Sequence, residues 1–158
     1  MKITGEGVDG RMNGKFESKE PLPVVRIKHI NSERQADEVT YPADFLIEDI
    51  DGSVIGEAEL NIHHHFLDDD RASTAYLNTI KITGKEHGRG YGKAAYIELM
   101  RWLNKHGLTL ISGYRLSRGA AKIWESLTGQ GLAIKVDEGV IDETAESGGY
   151  STAQYEAV

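Results

Sequence analysis

Apolar and polar residues alternate with a period of two along much of the first half of the chain, and the period lengthens to that of a helix only near residue 91. Val24 to Ile30 alternates enough for a first strand. Phe45 to Ile50 and Val54 to His63 flank Asp51-Gly52. Asp-Gly between two strand-like runs predicts a hairpin with a two-residue turn, because such a turn needs positive φ. A loop from Phe66 to Ser73 then leads to a strand over Thr74 to Thr83. Asn31 to Val39 is the only room for a helix before Pro42. Residues 1 to 23 are Gly-rich and charged, and read as an arm or a small hairpin ahead of one domain over 24–158.

In the second half, Tyr91, Ala95, Leu99, Trp102, Leu103 and His106 recur at helical spacing, while Lys93, Glu98, Arg101 and Lys105 fall largely on the other side. Gly107 is placed to end that helix. Leu108 to Tyr114 reads as a buried strand. Ser117 is a good cap for a second helix that Gly129 would end. Gly131 to Val136 reads as a strand, Glu138 to Gly149 as an acidic loop, and Tyr150 to Val158 as a last strand. The predicted class is α/β, a mixed and mostly antiparallel sheet with a βαβ core.

The chemistry concentrates between the Thr74–Thr83 strand and the Tyr91–His106 helix. Gly88, Gly90 and Gly92 alternate there within His87-Gly88-Arg89-Gly90-Tyr91-Gly92-Lys93. Alternating glycines let backbone N–H groups converge on one point, and a helix N-terminus adds further unpaired N–H groups and partial positive charge. The combination suits a pyrophosphate. A P-loop would need Gly at 87 and Ser or Thr at 94, where the chain has His87 and Ala94. Gly90, Gly92 and Ala95 match the dinucleotide fingerprint literally, but the loop does not follow its strand directly, and Arg115 stands where an acid is wanted.

The segment resembles the acetyl-CoA-binding motif R/Q-x-x-G-x-G/A of the GCN5-related N-acetyltransferase superfamily, with His87 where Arg or Gln is usual. Ser117-Arg118-Gly119-Ala120-Ala121-Lys122-Ile123-Trp124-Glu125-Ser126-Leu127 resembles the same superfamily's N-x-x-A-x-x-L-Y-E-x-L helix. The resemblance implies the mixed sheet just described, acetyl-CoA as donor and an amine as acceptor. It places Ile80, Lys81 and Ile82 beside pantetheine, and His87, Gly88, Arg89, Gly90, Tyr91, Gly92 and Lys93 around the pyrophosphate. Ser117 and Trp124 complete the expected donor site. Trp124 stands at the position of the family's usual general-acid Tyr, and an indole N–H only donates. Thiolate departure would then be unassisted or served by Tyr114, Ser117 or Tyr76. A non-catalytic CoA-binding module and a nicotinamide-dinucleotide protein remain the alternatives.

A simple hairpin over residues 66–73 puts Glu59 beside Ile80, Asn61 beside Asn78 and His63 beside Tyr76, all on one face. Glu59 and His63 are therefore the candidate bases. Tyr76 joins them because it sits where histone-type members of the family carry a base glutamate. A one-residue slip would turn both bases away.

The remaining features narrow the partners. His63-His64-His65 cannot easily ligate one ion, since neighbours on a strand point to opposite faces. Asp68-Asp69-Asp70 lacks the spacing of a calcium loop. No metal is expected. The formal charge of −7, from 25 acids and 18 bases, disfavours nucleic acid and suits a cationic amine. The expected borders of the acceptor site are Asn31 to Pro42 and the acids Glu138, Asp142, Glu143 and Glu146. A short first helical region would leave the groove open unless the N-terminal arm or a homodimer partner closes it. With no cysteine, no apolar leader and no long apolar run, a soluble cytoplasmic protein that does not bind membranes is expected.

Overall fold

The computed structural model describes residues 21–36, 40–63, 73–83, 89–113, 115–139, 141–142, 150–151 and 153–158. Residues 1–20 of the expected N-terminal arm, His64, His65, the triple Asp, His87, Gly88, Tyr114, Glu143 and Glu146 lie outside them.

Strands β1 (Val25–Ile30), β2 (Thr40–Asp49), β3 (Val54–His63) and β4 (Ser73–Ile82) form an antiparallel meander. Helix α1 (Tyr91–Lys105) crosses to β5 (Leu108–Ile111), which runs parallel to β4. A two-residue strand β6 (Leu116–Ser117) leads into α2 (Arg118–Gly129), and β7 (Ala133–Asp137) follows. Ile141–Asp142 (β8) and Tyr150–Ser151 (β9) make a small sheet with β6, and β10 (Gln154–Ala157) inserts between β5 and β7. The main sheet thus has the order β1-β2-β3-β4-β5-β10-β7. β4 and β5 are its only parallel pair, so the repeated βα units of a dinucleotide fold are absent among the described residues.

The period-two pattern sends alternate residues to opposite faces. Phe45, Ala58 and Ile80 are aligned across β2, β3 and β4 and point toward the helices. Ala75 and Leu110 continue that face onto β5, and all but Ile80 are buried. Ala94, Ala95, Tyr96, Leu99 and Leu103 of α1 are buried there. Trp102 packs its edge on Phe45, with centroids 4.9 Å apart, and stacks on His106 at 3.9 Å. His106, expected on the inward side, is itself exposed and covers Trp102 from the helix end. α2 shares this core through Trp124, which stacks on Tyr155 at 5.7 Å and meets the ring of Tyr96 edge-on at 5.5 Å.

Several boundaries differ from expectation for local reasons. Pro42 lies inside β2, which begins at Thr40. Pairing with β1 starts only at Asp44, so the N–H that proline lacks is not needed on that side. Residues 31–36 hold no helix. The β2–β3 turn closes on Asp49 and Ser53, leaving three residues between them rather than two, and the Asp49 carboxylate accepts the N–H groups of Asp51 and Ser53. Gly52 supplies the left-handed position at φ 85°. The second helix reaches Gly129, and the glycine in left-handed conformation after it is Gly131. No helix among the described residues is long and apolar enough to cross a membrane.

Two glycines bring backbones together on either side of β4. A Cβ on Gly56 would lie 2.2 Å from the Lys81 carbonyl oxygen, and one on Gly113 would lie 2.6 Å from the Leu77 carbonyl oxygen. Neither obstacle is a flexible side chain. Gly113→Ala should therefore cost about 2 kcal/mol, within the overpacking range. Gly129→Ala, where an added Cβ meets nothing within 4 Å, should be neutral or slightly stabilising. Urea unfolding of the two variants checks this, and equal midpoints would contradict the close approach at Gly113.

Candidate active site

The register between β3 and β4 changes part-way along. Glu59 pairs with Thr79 but Leu60 pairs with Leu77, so Asn78 is an extra residue on β4. This bulge corrects the simple-hairpin expectation. Ile80 lies opposite Ala58 on the helix face and not beside Glu59. Asn61 and His63 pair with Tyr76 and Thr74. Glu59, Asn61, His63 and Tyr76 still share the face away from the helices, because the bulge absorbs the shift. Asn61 Nδ2 donates to Asn78 Oδ1 at 3.3 Å, and the rings of His63 and Tyr76 meet edge-on with centroids 4.7 Å apart. Glu59 and His63 are four residues apart on one strand, about 13 Å, so one amine cannot touch both.

At the same level β4 parts from β5. The parallel pairing runs from Ser73 with Leu108 to Tyr76 with Ile111 and stops. Pairing with β3 continues to Ile82 with Gly56. From Leu77 onward, one edge of β4 has no strand beside it among the described residues. A groove of about 330 Å³ opens along that stretch. Its walls are Ile80 and Ile82 of β4, Gly90, Gly92, Lys93 and Tyr96 at the start of α1, and Ser117, Gly119, Ala120 and Ile123 of α2.

Both helices present their N-termini here. Gly90 caps α1 at φ 87° without a side-chain hydrogen bond, and the helical ladder begins only with the Ala94 N–H donating to the Gly90 carbonyl. The N–H groups of Gly92 and Lys93 thus precede the ladder and are available to an anion. Ser117 caps α2, its Oγ accepting the Ala120 N–H at 3.1 Å. A Cβ on Gly92 would come within 3.2 Å of Ile123 Cδ1, so this glycine lets the two helices approach closely at the groove. A Cβ on Gly90 would meet Pro23 and Leu22 at 3.3 and 3.4 Å. Lys93 Nζ donates to Ser126 Oγ of α2 at 2.7 Å, tying the helices together. Arg89 and Lys81 are exposed.

Trp124 does not line the groove. It is fully buried behind Tyr96, and its Nε1–H has no acceptor at hydrogen-bonding geometry. Tyr96, which none of the sequence motifs singles out, occupies the wall instead. Its signal is the spacing of four from Gly92, which puts both on one side of α1.

The face away from the helices is polar over β2 to β4. Asp44, Glu59 and Thr79 lie in a row across it, with Asn61 and Tyr76 in the next row. Arg34 lies on this face from the segment between β1 and β2. Its guanidinium donates to Asp44 Oδ1, to Asn61 Oδ1 at 3.0 Å and to the Leu60 carbonyl at 2.8 Å. No helix covers this face among the described residues. Glu138 pairs with Lys135 at 3.3 Å.

Known proteins bear out the architecture. A dodecameric spermidine N-acetyltransferase from Vibrio cholerae superposes with a TM-score of 0.53 at 14% identity, covering 74% of this chain and 64% of that one. A spermidine/spermine N-acetyltransferase from the same organism, solved with manganese ions, gives 0.50 at 17% identity with 74% and 64% covered. A candidate phosphinothricin N-acetyltransferase gives 0.51 at 15% identity with 73% and 67% covered. This chain spans less than two thirds of the length of the two Vibrio cholerae proteins, and at these identities the likeness is one of fold. No curated protein matches the sequence. The model of the acetyltransferase (GNAT) family matches residues 15–122, more than half of the sequence, and the chain belongs to that family of acyltransferases.

Proposed function

We propose that the protein is an acetyl-CoA-dependent N-acetyltransferase acting on a cationic amine. The observation that carries this reading is the edge of β4 left without a strand neighbour after Tyr76, facing two helix N-termini across a groove. Unpaired peptide groups on such an edge can pair with a ligand that itself carries amides. The N–H groups of Gly92 and Lys93 lie at the far end of the groove, where a pyrophosphate would sit. The residues therefore fit the pantetheine and pyrophosphate parts of CoA. When bound, acetyl-CoA supplies the activated acetyl carbonyl. A backbone N–H of the β4 edge can donate to the oxyanion formed there, so Ile80, Lys81 and Ile82 need no special side chains.

An amine would approach from the polar face, through the fork between Tyr76 and Ile111. Glu59 stands on that face opposite Asp44, whose charge is already met by Arg34. Glu59 and His63 are alternative bases, each able to take the proton of the attacking nitrogen. A face without a helix over it favours an amine on a larger molecule, although one fold neighbour is a spermidine N-acetyltransferase. A non-catalytic CoA-binding module would use the same groove and is the second reading, kept open by the indole at 124.

Acetyl-CoA at about 100 times its Kd should stabilise the fold by roughly 2.7 kcal/mol. That is a rise in Tm of about 5–11 °C for a domain of this size. Thermal scans with acetyl-CoA and NADPH side by side check it, and a response to NADPH alone would remove the reading. Gly92→Val should fill the gap to Ile123 and weaken acetyl-CoA more than about tenfold by calorimetry while the protein stays folded. Gly90→Ala should cost about 1–2 kcal/mol of stability, from the left-handed backbone alone.

Glu59→Gln and His63→Ala separate the bases. Because the two residues are about 13 Å apart along the strand backbone, only one substitution should lower turnover of a given amine, by about 10²-fold or more. Loss in neither variant would show that no base from this face is used.

A further inference from the structure

On the face away from the helices, Arg26 lies opposite Glu48 and Lys81 lies opposite Glu57. Glu59 has no such neighbour. It lies opposite Asp44 on one side and Thr79 on the other. Directly opposite carboxylates on a sheet sit about 5 Å apart at Cβ and repel each other. Arg34 meets that repulsion on the Asp44 side alone. Its Nε and one terminal nitrogen both donate to Asp44 Oδ1, at 3.1 and 2.5 Å. Further bonds to Asn61 Oδ1 at 3.0 Å and to the Leu60 carbonyl at 2.8 Å fix the guanidinium in place. Both members of the ion pair are shielded, with side chains 30% and 17% exposed. Glu59 makes no ion pair or hydrogen bond among the described residues. Its neighbour Thr79 belongs to the stretch of β4 whose other edge has no strand beside it among the described residues. Glu59 therefore stands one strand spacing, about 5 Å, from the open edge.

We infer that Arg34 is a specificity-determining residue for the acceptor: it cancels the charge of Asp44, leaves Glu59 as the carboxylate without a cation opposite, and so selects an amine with no second positive charge. The inference rests on the N-acetyltransferase reading above. A second cationic group on the acceptor, brought toward Asp44, meets a carboxylate that is already satisfied and a guanidinium that repels it. Without Arg34, Asp44 and Glu59 become two unmatched carboxylates on one face. Such a pair attracts a second cation, because each added positive charge relieves the repulsion between them. This holds whether Glu59 or His63 takes the proton of the attacking nitrogen, since the second charge is read at Asp44.

The test uses matched pairs of primary amines, both alkylamines and tripeptides with a free amino terminus. One member of each pair ends in a tert-butyl group and the other in the isosteric trimethylammonium group, so the two differ only in charge. The readout is kcat/KM for the charged member over that for the neutral one. The native protein should give a ratio near one or below. Arg34→Gln should raise it about tenfold, the order expected of an unmatched charge about 5 Å from a cation at a half-exposed site, and added salt should shrink the gain. Arg34→Lys should keep the native ratio because it keeps the charge, and Arg34→Gln combined with Asp44→Asn should return to it. Loosening of residues 31–36 alone would lower both members of a pair alike and leave the ratio in place. Asp44→Asn by itself keeps the Arg34 bonds to Asn61 and Leu60 and should lower the ratio at least about threefold, since the guanidinium is then unopposed. A ratio unmoved in Arg34→Gln or in Asp44→Asn would overturn the inference, as would a ratio that stays raised in the double variant. If the native protein acetylates no amine of the set, the N-acetyltransferase reading falls, and this inference with it.

Discussion

One strand carries the site because its two edges are treated differently. β4 is paired with β3 from Thr74 to Ile82, apart from the bulged Asn78, and with β5 for only four residues. The parting has identifiable causes. The extra residue Asn78 bends β4 where the parallel ladder ends, and Gly113 lets β5 make one last close contact with the Leu77 carbonyl before turning away. Past that point a row of peptide groups has no strand beside it among the described residues. Such groups are expensive to leave unmet once water is excluded, so the fold holds in reserve a set of directed bonds that only an extended, amide-bearing molecule can complete.

The helices answer the same need from the opposite side. Gly90 and Gly92 cost backbone entropy, yet they allow the start of α1 to lie close to α2 without side chains closing the gap. The Lys93–Ser126 bond and the Tyr96–Trp124–Tyr155 ring stack then fix the spacing between the helices at two depths. Packing between the two helices holds the described walls of the groove in place.

Much of this was legible in the residues. The period of two gave four strands in the first half, and the helical spacing gave α1 and α2 to within a few residues. The alternating glycines and Ser117 marked the helix starts that line the groove. What stayed hidden was registration. A bulge spends one residue and leaves no compositional trace, so Asn78 shifted the pairing of Glu59 from Ile80 to Thr79 while the faces stayed as the alternation set them. The strand was expected only from Phe45, because the sequence does not say that only one side of β2 is paired at Pro42. Tyr96 holds the groove position expected of Trp124 for a related reason: two aromatic residues on apolar helix faces look alike until packing shows which one borders empty space.

Arg34 carries one more consequence. The stretch between β1 and β2 has no regular structure over residues 31–36, and among the described residues the Arg34 side chain ties it to the sheet, reaching Asp44, Asn61 and the Leu60 carbonyl. The donor groove is built from backbone pairing and a shared core, which few substitutions can leave intact. The segment over the polar face is held, among the described residues, through the Arg34 guanidinium. Variation can thus rework what is brought to the fork, one surface residue at a time, without disturbing the machinery behind it.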